Sequence, residues 1–190
     1  MNEKQTIIFE ADPRPVEVEY RIDSFRPNKV SDAFARAIPK DLQGLIVDDI
    51  GSGGGVLAII EANRGAREVR SVEPADANYL LLCRNIKRNK VENIVRAYQG
   101  EFFDPISHLE RADLISADVS GIPEIFARTL GWYPQGIPTG GEKGSEITCE
   151  LLRRAPYNMK LDGKLYFPTA NDLLDANEIL QLARDHFEVV

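Results

Sequence analysis

Histidine, cysteine and tryptophan are scarce in this chain, and positive charge is in the minority. Two histidines, two cysteines and one tryptophan stand among 190 residues, and 23 basic residues face 30 acidic ones. Cys83 and Cys149 have no second cysteine or histidine at ligand spacing, so they read as buried thiols, with no disulfide and no metal site. His108 and His186 fall in a surface loop and at a helix end, which leaves neither as a general base. Long apolar runs are also missing. Val56 to Ile60 is broken by Glu61, and the opening MNEKQTII has no signal-peptide core, so the expectation is a cytoplasmic protein with no membrane span.

The net charge of −7 bears on partners. Proteins that hold nucleic acid through phosphates usually show a basic face, and here the local basic cluster is Arg84, Lys87, Arg88 and Lys90. Tyr79, Leu82, Cys83 and Ile86 recur at helical spacing as a buried stripe, which puts those basic residues on the solvated side. The charge balance therefore argues against nucleic acid as a partner. With 43% hydrophobic residues in 190, the chain can bury one substantial core.

What the chain does have is the stretch VDDIGSGGGVLAI from Val47 to Ile59, an apolar strand running into alternating glycines and then an apolar helix. Gly51, Gly53 and Gly55 let backbone N–H groups at a helix N-terminus approach a ligand that a β-carbon would block. A dinucleotide fingerprint would need glycine at the sixth place of the turn, where Val56 stands, and no Gly-Lys-Ser/Thr follows to make a P-loop. Asp49 closes this strand and Glu73 ends the next.

Strand patterns at Leu45 to Ile50, Val69 to Glu73, Ile94 to Gln99, Asp113 to Asp118 and Lys164 to Pro168 alternate with helical ones. They predict a doubly wound α/β fold, Rossmann-like, with a mainly parallel sheet covered on both faces. Gly51, Glu73, Glu101 and Asp118 all fall at carboxyl ends of strands, where such sheets bind ligands. Ile7 to Phe9 and Val16 to Tyr20 predict a hairpin in an amino-terminal arm, residues 1–29, ahead of a domain over residues 30–190. Ser31 or Asp32 is placed to cap the first helix. Leu173, Ala176, Leu180, Ala183 and Phe187 predict a last amphipathic helix, and residues 186–190 the approach to another strand.

The strand, acidic residue and glycine pattern resembles that of class I S-adenosylmethionine-dependent methyltransferases. In that family an acid placed like Glu73 holds the ribose hydroxyls, and a carboxylate supplies the two adjacent acceptors. Within the superfamily the chain resembles the release-factor glutamine methyltransferases and their small-domain relatives from about Phe25 onward. QGEFFDP at Gln99 to Pro105 looks like the loop where Glu101 would meet the adenine amino group and Phe102 its ring. RADLISADVSGIP at Arg111 to Pro123 looks like the fourth strand and the acceptor loop, and GGEKG at Gly140 to Gly144 like the glycine turn before the next helix. The resemblance thus implies S-adenosylmethionine as cofactor, held by Asp49, Gly51, Ser52, Gly53, Gly55, Glu73, Pro74, Glu101, Phe102 and Asp118. It places Phe25, Arg26, Ser120 and Tyr133 toward the substrate.

Where that family carries Asn-Pro-Pro-Tyr, this chain has Asp118, Val119, Ser120 and Gly121. An ionised aspartate only accepts hydrogen bonds, so Asp118 suits an acceptor that presents N–H or O–H, and it is the candidate catalytic residue. The expected acceptor is a small molecule or peptide. A binding-only module of the same fold, and a methyltransferase acting on RNA or a ribosomal protein, stand as alternatives. The family's closing antiparallel hairpin is absent or barely begun in this sequence, so the expectation is either a sheet edge covered by the arm or by a partner chain such as a second copy, or a polypeptide truncated relative to the family's domain.

Overall fold

The computed structural model describes residues 5–169 and 176–188. The expected hairpin forms from β1 (Gln5–Phe9) and β2 (Val16–Tyr20), paired antiparallel with Phe9 opposite Val16. Then come α1 (Lys29–Ala37), β3 (Ile46–Ile50), α2 (Val56–Asn63), β4 (Glu68–Glu73), α3 (Asp76–Arg88) and β5 (Val95–Gln99). The second half holds β6 (Ala112–Ser116), α4 (Glu124–Thr129), α5 (Glu146–Asn158), β7 (Met159–Tyr166) and α6 (Asn177–His186). Strands β3 to β7 form one parallel sheet in the order β5-β4-β3-β6-β7. This is the doubly wound layout predicted, and its order reverses between β3 and β6, where such sheets open a ligand crevice.

Alternation along the strands divides the interior in two. Val47, Val69, Val95 and Leu114 face a cluster shared with Leu57, Ile60, Leu82 and Ile86, while Ile50, Val72 and Ile115 face Phe103, Ile106, Leu151 and Ala155. All five residues of β3 are buried, as a strand covered on both sides must be. Arg70 and Asp48, buried inside these strands, are paired. Arg70 donates through Nε to Asp48 at 2.6 Å and through Nη1 to the Glu110 carbonyl at 2.6 Å, tying β3 and β4 to the segment before β6. Even beside this guanidinium, burial pushes the Asp48 carboxyl up to about 7.

Three local readings are corrected. The cap of α1 is Asn28, whose side chain accepts from the Val30 N–H, so neither Ser31 nor Asp32 serves there. The last strand starts at Met159 rather than Lys164, directly from the end of α5. Its first half is largely exposed around Leu161 and Asp162, so no buried alternation marks it in the sequence. The inward face of α3 is also different from the predicted stripe: Asn78, Leu81, Leu82, Asn85 and Ile86 are buried, while Tyr79 and Cys83 are only half-buried. Of the predicted last helix, α6 covers Asn177–His186, Leu173 lies outside the described residues, and so does part of the segment 186–190.

The two inward asparagines explain how the arm is attached. Asn85 accepts from the Glu19 N–H at 2.8 Å and donates to the carbonyls of Glu19 and Gly54 at 3.0 and 2.8 Å. Asn89 does the same with Glu17, at 3.2 and 2.7 Å. Around them Arg84 pairs with Glu19 at 3.2 Å and Arg88 with Glu17 at 2.9 Å, so half of the basic cluster is engaged by acids of β2. Phe9, Val16 and Val18 complete the attachment by joining the apolar cluster under α2 and α3. Asn85→Ala strips partners from two buried backbone groups of Glu19, and we expect a loss of about 2–3 kcal/mol in urea denaturation. A loss below about 1 kcal/mol would mean that apolar contacts alone seat the arm.

Candidate functional site

A cleft opens at the reversal between β3 and β6. Its lining includes Phe25, Gly51, Gly53, Glu73, Pro74, Asn78, Glu101, Phe102, Asp118, Ser120 and Tyr133. Ten of the residues singled out in the sequence are thus brought to one place, each delivered by the carboxyl end of a strand or by the loop that follows.

The turn after β3 is pinned to β4. The N–H groups of Gly51 and Ser52 both donate to the Val72 carbonyl, at 2.9 and 3.1 Å. Gly53 and Gly55 lie in the left-handed region, with φ of +54° and +86°, where a side chain is strained. At Gly55 a β-carbon would also stand 2.6 Å from Leu82 Cδ1, so this glycine lets α2 pack on α3 and does not line the cleft. Glu73 closes the turn. Its Oε2 accepts from the Gly53 N–H at 2.8 Å, and its Oε1 accepts from the Ala75 N–H at 2.9 Å and from Asn78 Nδ2 at 3.2 Å. Burial raises the Glu73 carboxyl above the usual range, opposed by these three donors.

Across the cleft stands Asp118. Ser31, freed from capping, donates to Asp118 Oδ2 at 3.0 Å. Burial is the larger influence and raises the Asp118 carboxyl, with the Ser31 bond working against it. Phe25 stacks on Tyr133 with ring centroids 5.6 Å apart and planes at 27°, joining the arm to the far wall. Burial also raises the Tyr133 hydroxyl, with the nearby Ser120 side chain working against it. Tyr133 belongs to a loop, residues 122–141, closed at its neck by the Gly140 N–H on the Ile122 carbonyl and the Glu124 N–H on the Gly141 carbonyl, both 2.8 Å. Arg128 fills that loop's interior and donates to the carbonyls of Tyr133, Pro134 and Ile137. Ile125, Phe126, Leu130 and Trp132 are exposed on its outside.

Other predicted positions lie elsewhere. Arg26 turns away and sets its guanidinium 5.3 Å from the Tyr20 ring, outside the cleft lining. Asp49 lies fully buried beneath the turn, and Ser52 is drawn under it by a 2.6 Å contact with Ser71 Oγ. His108 and His186 are exposed and remote from the lining. Three contributors escaped sequence reading. Asn78 looked like an ordinary helical polar residue, yet it also accepts from the Phe25 N–H at 2.9 Å. Arg154, from α5, covers one face of Phe102 at 5.2 Å. Ile137 to Thr139 supply a wall just before the glycine turn at Gly140, which was their single signal.

No family model matches the chain. A ribosomal protein L11 methyltransferase from Geobacillus kaustophilus is 38% identical over 121 residues, 63% of this chain and 36% of that protein. One from Alkaliphilus oremlandii is 40% identical over 73 residues, 38% of this chain and 23% of that protein. Among solved structures, a ribosomal protein L11 methylase from Lactobacillus delbrueckii superposes with a TM-score of 0.63 at 18% identity, covering 86% of this chain and 70% of that one. A T. thermophilus 16S rRNA N2 methyltransferase, in complex with S-adenosylmethionine and guanosine, gives 0.74 at 16% identity, covering 98% and 48%. The chain has the class I methyltransferase fold. S-adenosylmethionine is the cofactor of that fold, in keeping with the sequence reading. The chain matches only about a quarter to a third of the length of those two curated relatives.

Two expectations are corrected by these matches. The curated similarity lies with ribosomal protein L11 methyltransferases, and the release-factor group is not supported. The expected small-molecule or peptide acceptor, with nucleic acid disfavoured, is overturned by relatives whose names refer to a ribosomal protein and to ribosomal RNA. Overall charge misled here because it describes the whole surface, whereas acceptor choice is made by a few side chains at the cleft. Glu73→Ala leaves the Gly53 N–H without its partner and removes the acidic rim, and we expect S-adenosylmethionine affinity to drop by about 2 kcal/mol in calorimetric titration, with the fold kept. Unchanged affinity would take Glu73 out of the cofactor site.

Proposed function

We propose that this chain is the catalytic domain of an S-adenosylmethionine-dependent methyltransferase whose acceptor is a ribosomal protein. The observation that carries the cofactor half is the Glu73 carboxylate bound to the Gly53 N–H at the cleft rim. A carboxylate offers about four acceptor positions, and three protein donors already use three of them. Glu73 would therefore have an acceptor position left on Oε2 for a ribose hydroxyl. Glu101 and Phe102 would hold the adenine, and Asp118, Phe25 and Tyr133 would line the methionine end.

Methyl transfer from a sulfonium is an in-line displacement, and the cofactor brings the activated group, so the protein aligns the nucleophile and keeps water out. Phe25 and Tyr133 supply the apolar roof. Asp118 accepts from an N–H or O–H of the acceptor and points its lone pair at the methyl group, and its raised carboxyl brings it nearer to taking a proton at neutral pH. The ribosomal protein reading draws support from the curated relatives at 38% and 40% identity. It implies work in the cytoplasm, where ribosomal proteins are made. RNA is the second reading, favoured by the superposition that covers 98% of the chain. The engagement of Arg84 and Arg88 by Glu17 and Glu19 weighs against it.

Calorimetric titration with S-adenosylmethionine, S-adenosylhomocysteine and NAD tests the cofactor half, with binding of the two sulfur ligands and none of NAD expected. Labelled methyl transfer to purified ribosomal proteins and, separately, to ribosomal RNA tests the acceptor half. Label in protein alone supports the proposal, and label in RNA alone moves it to the second reading. Asp118→Asn should keep cofactor binding and slow turnover by about 100-fold or more, in the range of a lost proton acceptor. Full activity of that variant would leave Asp118 a structural part only.

A further inference from the structure

Ser71, Asp49 and Ser116 are register neighbours on β4, β3 and β6. Side chains alternate along strands, so all three point to the face on which α2 lies, the face of Val47, Val69 and Leu114. Glu61 of α2 enters the same space, with no exposure at all. Four oxygens there have no hydrogen-bond partner among the described residues: Asp49 Oδ1, both carboxyl oxygens of Glu61, and Ser116 Oγ. Ser116 faces Glu61 without closing a bond of ordinary geometry.

Two ionised carboxylates cannot share a dry space without compensation. The charged groups around them supply little. Arg64, on the same helix, spends its guanidinium on the carbonyls of Asp12, Ile38 and Pro39. Asp48 points to the opposite face of the sheet and is held by Arg70. From the cleft side the neighbours are Glu73 and Asp118, both acids. Meanwhile Asp49 is wired to the turn above it. Ser71 Oγ lies 3.2 Å from Asp49 Oδ2 and 2.6 Å from Ser52 Oγ, and Ser52 Oγ lies 2.9 Å from the Asp49 carbonyl, so the two hydroxyls share two protons among three short contacts.

We infer that Glu61 is a positioning residue for the cofactor turn: it keeps a proton, forms one singly charged acid pair with Asp49, and through Ser71 and Ser52 holds the turn in its binding shape. This rests on the reading of that turn as the S-adenosylmethionine site. Burial raises both carboxyls, Asp49 to about 7 and Glu61 well above its ordinary value. A carboxyl that holds its proton more tightly when folded lends stability at pH below its unfolded value, and loses it as the pH climbs through the folded value. Stability should therefore fall as the pH rises from the ordinary carboxylate range through neutral, and cofactor affinity should fall as the pair gives up its proton.

The test titrates the full chain and its Glu61→Gln variant with S-adenosylhomocysteine between about pH 6 and pH 9, and follows urea denaturation over the same range. The unmodified protein should lose affinity by about ten-fold or more on release of the pair's proton. Glutamine keeps the shape and carries its own N–H, so Glu61→Gln should match the unmodified protein at the acid end and then fall less steeply, its residual slope coming from the other raised carboxyls, Asp48 among them. A flat profile in the unmodified protein, or parallel slopes in the two, overturns the inference. Should Glu61→Gln fail to fold, Glu61→Met replaces it: stability that falls less steeply with pH, together with weak binding throughout, supports the acid pair, and an unchanged slope overturns it. If no protein binds the ligand at any pH, the cofactor reading falls, and the denaturation slopes alone decide whether the pair holds a proton.

Discussion

One carboxylate joins the parts from which the cleft is made. Glu73 sits at the end of β4 and takes the Gly53 N–H from the turn, the Ala75 N–H from the entry to α3, and the Asn78 amide from α3 itself. Asn78 passes the connection on by accepting from the Phe25 N–H, which fixes the arm over the opening. Phe25 in turn stacks on Tyr133 of the opposite wall. Five contacts therefore join sheet, turn, helix, arm and far wall, and each is a hydrogen bond or ring contact whose loss would leave a donor or an apolar face unpartnered.

The same end of the sheet concentrates acid. Asp49, Glu61, Glu73 and Asp118 are all withdrawn from water, and burial raises every one of them. They are managed differently. Glu73 has three donors, Asp118 has one hydroxyl, and Glu61 has none among the described residues. The graded supply of donors sets which of these groups can carry charge at neutral pH, so the fold and the electrostatics of the cleft are one arrangement seen at two scales.

Much of this was legible in the sequence because two strong periodicities and one glycine pattern coincide. The strands β3 to β6, the turn, and the positions of Glu73, Glu101 and Asp118 could all be read from alternating segments and their ends. Asn78 and Asn85 could not, since a polar residue on a helix reads as solvated unless backbone groups are known to await it inside. Ser31 was misread for a related reason: Asn28 offered a nearer cap, and the serine's true partner lies 87 residues away. Arg26 had an aromatic neighbour in Tyr20, six residues back across the turn at residues 21–24. The acceptor class was the hardest part, because no repeating pattern in the sequence bears on it.

That loop has a construction with its own meaning. It leaves and rejoins the sheet side at one closed neck, and Arg128 satisfies three of its carbonyls from within, so its shape is set internally and not by the walls it touches. A unit with its own framework can change its outward residues, or be replaced whole, while the turn, Glu73 and the helices below stay as they are. On the proposed reading, the half of the cleft assigned to the cofactor would thereby be insulated from the half assigned to the acceptor, and one scaffold could be retargeted by rewriting about twenty consecutive residues.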